Sequence, residues 1–175
     1  MRAPAVAGSE DAPRVATAGA SLSLIVPIRL ALGGIVLVAA LAAGAAPRSA
    51  AVGFAFGAAL LAFAALADRR WALFRAEPEP LPEDARLDPW WRVAWRMMLP
   101  STVVVTVLAV VTLAAGSLVL GSILGGGVAG MGVAAAVTWM RLAAWQTERG
   151  VTLFWEQGGE GRRFVEPRGV REPTA

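Results

Sequence analysis

The chain contains few side chains of the types that catalyse reactions or bind metals. It has no His, Cys or Tyr among its 175 residues, which removes the usual zinc ligands, a thiol nucleophile and a base that titrates near neutral pH. A serine nucleophile needs a neighbouring base, and Ser101, Ser117 and Ser122 lie in apolar sequence without one. We expect these hydroxyls to bond to carbonyls of their own helices instead.

The densest group of acidic residues lies between Ala76 and Asp84, where carboxylates alternate with prolines. The spacing matches no known cation-binding loop, and the prolines favour an extended, solvated linker. A glycine-rich stretch, Gln157–Gly161, is not followed by the helix that a phosphate-binding loop requires. The sequence therefore predicts no catalytic residues, no metal and no cofactor, and a protein that is not an enzyme.

The net charge also excludes one class of partner. It is only +3, and the arginines are interleaved with 13 carboxylates. Because nucleic-acid-binding domains concentrate basic residues on one surface, we expect no nucleic-acid partner.

The hydropathy pattern instead indicates a membrane protein. Hydrophobic residues make up 57% of the chain, and they occur in long uncharged blocks. We predict an all-α integral membrane protein with four transmembrane helices arranged as two hairpins. The predicted spans are residues 22–46, 50–67, 97–115 and 119–144.

The first block contains two interruptions, Pro27 and Arg29. We interpret Arg29 as an anchor whose long side chain reaches the headgroups from the first turns of the helix, in preference to a cation on a substrate or proton path. The alternative is a cleaved signal peptide, with Arg29 as its basic flank, Leu30–Leu41 as its apolar region and Ala42–Ala46 as its cleavage site.

Small residues recur at four-residue spacing in the predicted second and fourth spans. Such spacing gives a smooth helix face that another helix can approach closely. The predicted packing residues are Gly53, Gly57, Gly121, Gly125, Gly126 and Gly130. We place the turn between the third and fourth spans at Ala115–Ser117; Gly125–Gly127 is the alternative turn, or a re-entrant break that lines a binding site.

Tryptophan and arginine cluster around the spans. Asp88 and Pro89 favour a helix start, after which the Trp and Arg positions are typical of an interfacial helix that bends at Pro100 before crossing. The predicted partners of this surface are the lipid bilayer and its anionic headgroups. The predicted interface anchors are Arg69, Arg70, Trp71, Trp90, Trp91, Arg92, Trp95, Arg96, Trp139, Arg141 and Trp145.

The remaining segments are predicted to lie in water on one side of the membrane. They are a disordered tail (1–21), a linker (68–96), and a C-terminal tail (147–175) with a β-hairpin (151–165) that rests on the membrane or on the Trp-rich helix. All arginines except Arg29 and Arg48 fall on this side, with Arg141 close to the water-side end of the fourth span. The positive-inside rule then predicts a multi-pass protein of the plasma membrane with both termini in the cytoplasm.

These features predict a non-enzymatic scaffold or accessory subunit that packs through Gly/Ala faces. Its expected partner is another membrane protein or a second copy of the chain. The alternative function is an oligomeric pore or carrier for an ion or small solute, lined by the Gly-rich fourth span.

Overall fold

The computed structural model describes residues 13–67, 78–156 and 162–168. Five helices form most of it, and a five-residue π-helical segment, Leu99–Val103, joins the third helix to the fourth. The helices are α1 (Ala18–Ala42), α2 (Pro47–Ala67), α3 (Trp90–Met98), α4 (Val104–Ala114) and α5 (Leu118–Arg149). The strands are β1 (Arg14–Thr17), β2 (Glu79–Pro80), β3 (Arg86–Leu87), β4 (Val151–Glu156) and β5 (Arg163–Pro167). The fold is thus mostly helical with a small sheet, of which the prediction included only the C-terminal hairpin.

Three helices, α1, α2 and α5, are each long and apolar enough to cross a membrane. A fourth candidate is the pair formed by α3 and the helix that follows Pro100, which meet at a bend of 43°. Pro100 lacks an N–H and its ring collides with the preceding turn, so a regular α-helix cannot run through it. The π-helical segment is the local rearrangement at this break.

Helix α5 is the centre of the bundle. In its most apolar stretch 56% of the residues are buried, compared with 22% in α1 and 17% in α2. The helix runs unbroken through Gly125–Gly127, so the alternative turn and the re-entrant break at that position were wrong. It also extends past the predicted end at residue 144, to a left-handed cap at Gly150 (φ 64°) that leads directly into β4.

Two turns close the bundle at the end away from the sheet, which we call the loop end. Both follow the Schellman pattern, with a glycine at positive φ after the last helical turn: Gly44 at 95° and Gly116 at 80°. The second turn, 115–117, was predicted correctly. The first was predicted at residues 47–49, between the spans 22–46 and 50–67. It lies instead at residues 43–46, because Pro47 is suited to open α2 rather than to end α1.

The strands form one sheet with the order β2-β5-β4-β1-β3. The predicted hairpin is present as β4 and β5, which pair antiparallel. The prediction of a disordered tail was wrong, because β1 lies in it. Strands β2 and β3 lie in the predicted linker (68–96) and are extended and exposed, but they also pair with β5 and β1, which was not predicted. Pro80 is tolerated because β2 is an edge strand, where a missing N–H breaks no ladder.

Each face of the sheet is covered by a different part of the chain. One face places Leu153, with Trp155 and Val165, against the ends of α1 and α5. The other face buries Val15, Phe154 and Phe164 under Leu81 and Ala85 of the connection between β2 and β3. The hairpin aromatics Phe154 and Phe164 therefore rest on this connection, and not on a membrane surface or on α3.

The sheet determines how many times the chain traverses the bundle. Its strands come from before α1, from between α2 and α3, and from after α5, so these three segments meet at one end, the sheet end. Helix α5 begins at the loop end, beside the turn 115–117. The chain from β3 must therefore travel the whole bundle through α3, the π-helical segment and α4. The number of traverses is even, and the bent pair acts as one broken helix.

Candidate functional site

A polar junction inside the bundle is centred on Arg29 of α1. Its Nε donates to Thr102 Oγ1 at 2.9 Å, and its Nη2 donates to Ser101 Oγ at 3.2 Å. Its Nη1 lies 3.5 Å from the backbone oxygen of Met131 on α5. One guanidinium thus joins α1, the π-helical segment and α5. We call these residues the Arg29 junction.

The break at Pro100 supplies the acceptors of this junction. Ser101 and Thr102 belong to the π-helical segment that follows the break, and the Thr102 side chain is fully buried. In an apolar bundle an arginine needs several hydrogen-bond partners to offset its lost hydration. The hydroxyls supply two of them, in a segment whose π-helical form is frequent at functional sites.

This geometry overturns the interpretation of Arg29 as a headgroup anchor. The guanidinium is directed into the bundle, where it bonds to α5 and the π-helical segment. Three further hydroxyls behave as expected: Ser122, Thr112 and Thr138 donate to carbonyls of their own helices at 2.8 to 2.9 Å. Thr106 differs, because its Oγ1 is buried without a hydrogen-bond partner. The sequence signal that was missed is the Ser-Thr pair directly after a proline in an otherwise apolar stretch.

Helix α3 carries an exposed surface of aromatic and cationic side chains beside the junction. Val93 and Ala94 are buried, and Ala94 packs with Ile25 of α1 and Ala135 of α5. The opposite face is exposed, and the Arg92 guanidinium lies 5.4 Å from the centre of the Trp91 ring. We call this exposed set the α3 surface: Trp90, Trp91, Arg92, Trp95 and Arg96.

The other predicted anchors lie on α5 or outside the described residues. Trp139 and Arg141 are exposed near the sheet end of α5. Trp145 is partly buried against the sheet, and Arg149 stacks 4.9 Å from the centre of its ring. Arg69, Arg70 and Trp71 lie in the range 68–77, outside the described part of the chain.

All six predicted packing glycines lie in contacts between helices of this one chain. A Cβ at Gly57 would collide with the Ile123 carbonyl, one at Gly126 with the Phe54 carbonyl, and one at Gly130 with the Ala58 carbonyl. These positions, with Gly53, form the α2–α5 interface. Gly125 faces Val36 of α1, and Gly121 faces Leu113 of α4. Gly33 on α1 is a further close approach, since its Cβ would lie 2.8 Å from the Gly125 oxygen.

The carboxylates of the described ranges form no cluster of the kind that holds a metal ion. Within 13–67, 78–156 and 162–168, no three or more Asp or Glu side chains come together as a metal site would require. Desolvation by partial burial lowers the pKa of the Arg163 guanidinium, which lies outside the apolar helices, on β5. The contacts seen in the Arg29 junction are hydrogen bonds, and on the α3 surface Arg92 makes a cation–aromatic contact with Trp91.

Comparisons of the chain with protein-family models, with curated proteins and with solved structures found no match.

Proposed function

We propose that this chain is a non-enzymatic, multi-pass integral membrane protein that acts as a scaffold or accessory subunit. Its sheet end lies in the cytoplasm, its loop end outside, and the membrane is the plasma membrane. The α3 surface is the part that meets its partners, which are anionic headgroups and a second membrane protein. The observation that carries the proposal is the exposure of Trp91, Arg92 and Trp95 on a helix whose inner face is fixed in the bundle.

The attachment of α3 at both of its ends supports this role. The helix follows β3, and its start is tied to the sheet because the backbone N–H of Asp88 donates to Val15 O at 2.8 Å. Its end continues into the π-helical segment that Arg29 holds. A surface fixed at both ends loses little conformational entropy on binding, which favours affinity.

The chemistry of the α3 surface fits a membrane interface. Tryptophan prefers the headgroup level of a bilayer, and each arginine near an anionic surface contributes about 1 kcal/mol. The arginines outside Arg29 and Arg48 all fall on the sheet-end side in sequence, which supports the cytoplasmic orientation. Anionic lipid is concentrated in the cytoplasmic leaflet.

The packing of α5 favours a scaffold over a pore. The glycines that a pore would need along its path face α1, α2 and α4 of the same chain. An α5-lined path therefore requires those helices to separate. Ion or solute flux through vesicles reconstituted with the purified wild-type chain would restore the pore as the better proposal.

A comparison of purified variants tests the scaffold role. We expect an anionic lipid or a stoichiometric membrane protein to copurify with the wild-type chain in mild detergent. The double variant Trp91→Ser/Trp95→Ser should retain several-fold less of it. Phe63→Ser is the matched control, because Phe63 is 73% exposed on α2 but lies away from the α3 surface. A wild-type monomer that carries neither protein nor lipid would contradict the proposal.

A further inference from the structure

A groove of about 540 Å³ lies between α2 and α5 at the loop end. The groove is shallow and largely open, so a ligand in it would keep one side exposed. Arg48 and Ser49, in the first turn of α2, form its polar end. Its other lining residues are Val52, Gly53, Phe56, Val119 and Ile123.

The apolar walls of the groove face outward. Val52, Phe56 and Val119 are 66%, 59% and 48% exposed. From Arg48 to Phe56 the groove follows α2 for about 12 Å, at the rise of an α-helix. Half of a bilayer's hydrocarbon core is about 15 Å thick, so the groove is long enough to follow most of one leaflet.

Arg48 makes the polar end of the groove positive, and no acidic residue lies near it in the sequence. Arg48 is the single charged residue of the loop-end segments 43–50 and 113–122. Helices α2 and α5 both begin at this end, so both direct the positive ends of their dipoles toward it. An anion at Arg48 would meet attraction from each of these sources.

We propose that the groove binds one phospholipid, with its phosphate at Arg48 and one acyl chain along Val52, Phe56 and Val119. The chemistry matches both parts of such a molecule. A second copy of the chain fits less well, because a two-fold contact through this groove would bring two Arg48 side chains together without a carboxylate between them. The inference requires only that the bundle lies in a bilayer, and it is independent of the scaffold role at the other end.

Titration of the delipidated protein with phosphatidylglycerol, followed by native mass spectrometry, tests the phosphate contact. Arg48→Gln should weaken the binding of one lipid about tenfold, since it removes a charge-assisted contact. Arg162→Gln, an exposed arginine of the sheet end, is the charge-matched control and should bind as the wild type. The Trp91→Ser/Trp95→Ser variant should lose lipid bound at the α3 surface but keep the one lipid whose binding Arg48→Gln weakens, so a failure of the scaffold proposal and a failure of this one are distinguishable.

A second pair of variants tests the acyl-chain contact. Phe56→Ala should weaken binding of the same lipid several-fold, whereas Phe63→Ala, also exposed on α2 but outside the groove, should not. Equal binding by wild type, Arg48→Gln and Phe56→Ala would overturn the proposal. So would full competition by inorganic phosphate, which lacks an acyl chain, or a dimer that covers the groove and excludes lipid.

Discussion

Arg29 Nε donates to Thr102 Oγ1 at 2.9 Å, and this bond joins two parts of the bundle that lie 73 residues apart in sequence. Thr102 is fully buried and follows the break at Pro100. The bond therefore links α1 to the broken helix at the point where the latter changes direction. It holds the inner end of α3 in place, and with it the surface that we propose meets lipid and partner.

Removing the Thr102 hydroxyl tests this link. Thr102→Val keeps the shape of the side chain but leaves Arg29 Nε without its acceptor inside the bundle. We expect the free energy of unfolding to fall by about 1–3 kcal/mol. The measurement is an SDS titration in mixed micelles, followed by circular dichroism.

The control for this change is Thr112→Val. Thr112 donates to Ala109 O of its own helix at 2.8 Å, so its hydroxyl links no other element. Its loss should change the free energy of unfolding by less than about 0.5 kcal/mol. Equal losses in the two variants would show that the Arg29 bond contributes nothing specific.

Replacing a glycine by alanine should destabilise the protein where the glycine lies in a helix contact, and should stabilise it where the glycine has free space around it. Gly57→Ala places a methyl group against the Ile123 carbonyl, which is backbone and cannot move aside. We expect it to destabilise the bundle by about 1–3 kcal/mol. Gly34→Ala meets no atom within 4 Å and should stabilise α1 by about 0.5–1 kcal/mol. Thermal unfolding of the two variants in one detergent compares them directly, and a shift of the same sign in both would contradict the packing.

The left-handed turn at residue 116 predicts an order of stability for glycine, asparagine and alanine at this position. Gly116 has a φ of 80° and no neighbour that a Cβ would meet, so a substitution there is resisted by backbone conformation alone. Gly116→Ala should cost about 1–2 kcal/mol. Gly116→Asn should cost less, because asparagine tolerates this conformation better. Equal SDS-unfolding midpoints for the two variants would argue against the left-handed turn.

The sequence predicted what depends on local physical chemistry. The close helix contacts follow from glycines at four-residue spacing, a signal that lies within one or two helical turns. The turn at 115–117 follows from the length of a membrane span, because it divides the apolar stretch into two nearly equal parts and Gly125–Gly127 does not. The hairpin follows from two apolar runs around a glycine-rich turn.

The rest depends on partners far away in the chain. Strands β2 and β3 have two residues each, and β1 has four, so none has a period that sequence reasoning can detect. Strand β2 forms because β5 lies beside it, β3 because β1 lies beside it, and β1 because β4 lies beside it. Arg29 was misread for the same reason: its acceptors lie in a different apolar block, and apolar sequence does not show which helices meet.

The aromatic core of the sheet should be required for the folding of β1, β2 and β3, the strands that lie far from the hairpin in sequence. Phe164 is 3% exposed and pairs across the hairpin with Phe154, under Leu81 and Ala85. Phe164→Ala should cost the sheet about 3–5 kcal/mol, as other buried Phe→Ala changes do. Hydrogen exchange at the amides of β1 and β4 should accelerate, while α5 amides between Gly121 and Gly130 keep their protection. Phe63→Ala, at a 73% exposed position, should leave both regions unchanged; equal acceleration in sheet and bundle would mean that they unfold as one unit.

The arrangement of the two ends predicts opposite accessibility for two engineered cysteines. Because the natural chain has no cysteine, labelling reports only the introduced residue. Ala46→Cys lies in the exposed loop-end turn, whereas Glu79→Cys lies on exposed β2, paired beside Phe164 at the sheet end. In intact cells a membrane-impermeant maleimide should label Ala46→Cys at once, and Glu79→Cys only after the membrane is opened. Since β1, β3 and β4 also belong to this sheet, Arg14→Cys should follow Glu79→Cys. Equal labelling of Ala46→Cys and Glu79→Cys in intact cells would contradict a bundle that crosses the bilayer, and the reverse order would invert the proposed orientation while preserving the even number of crossings.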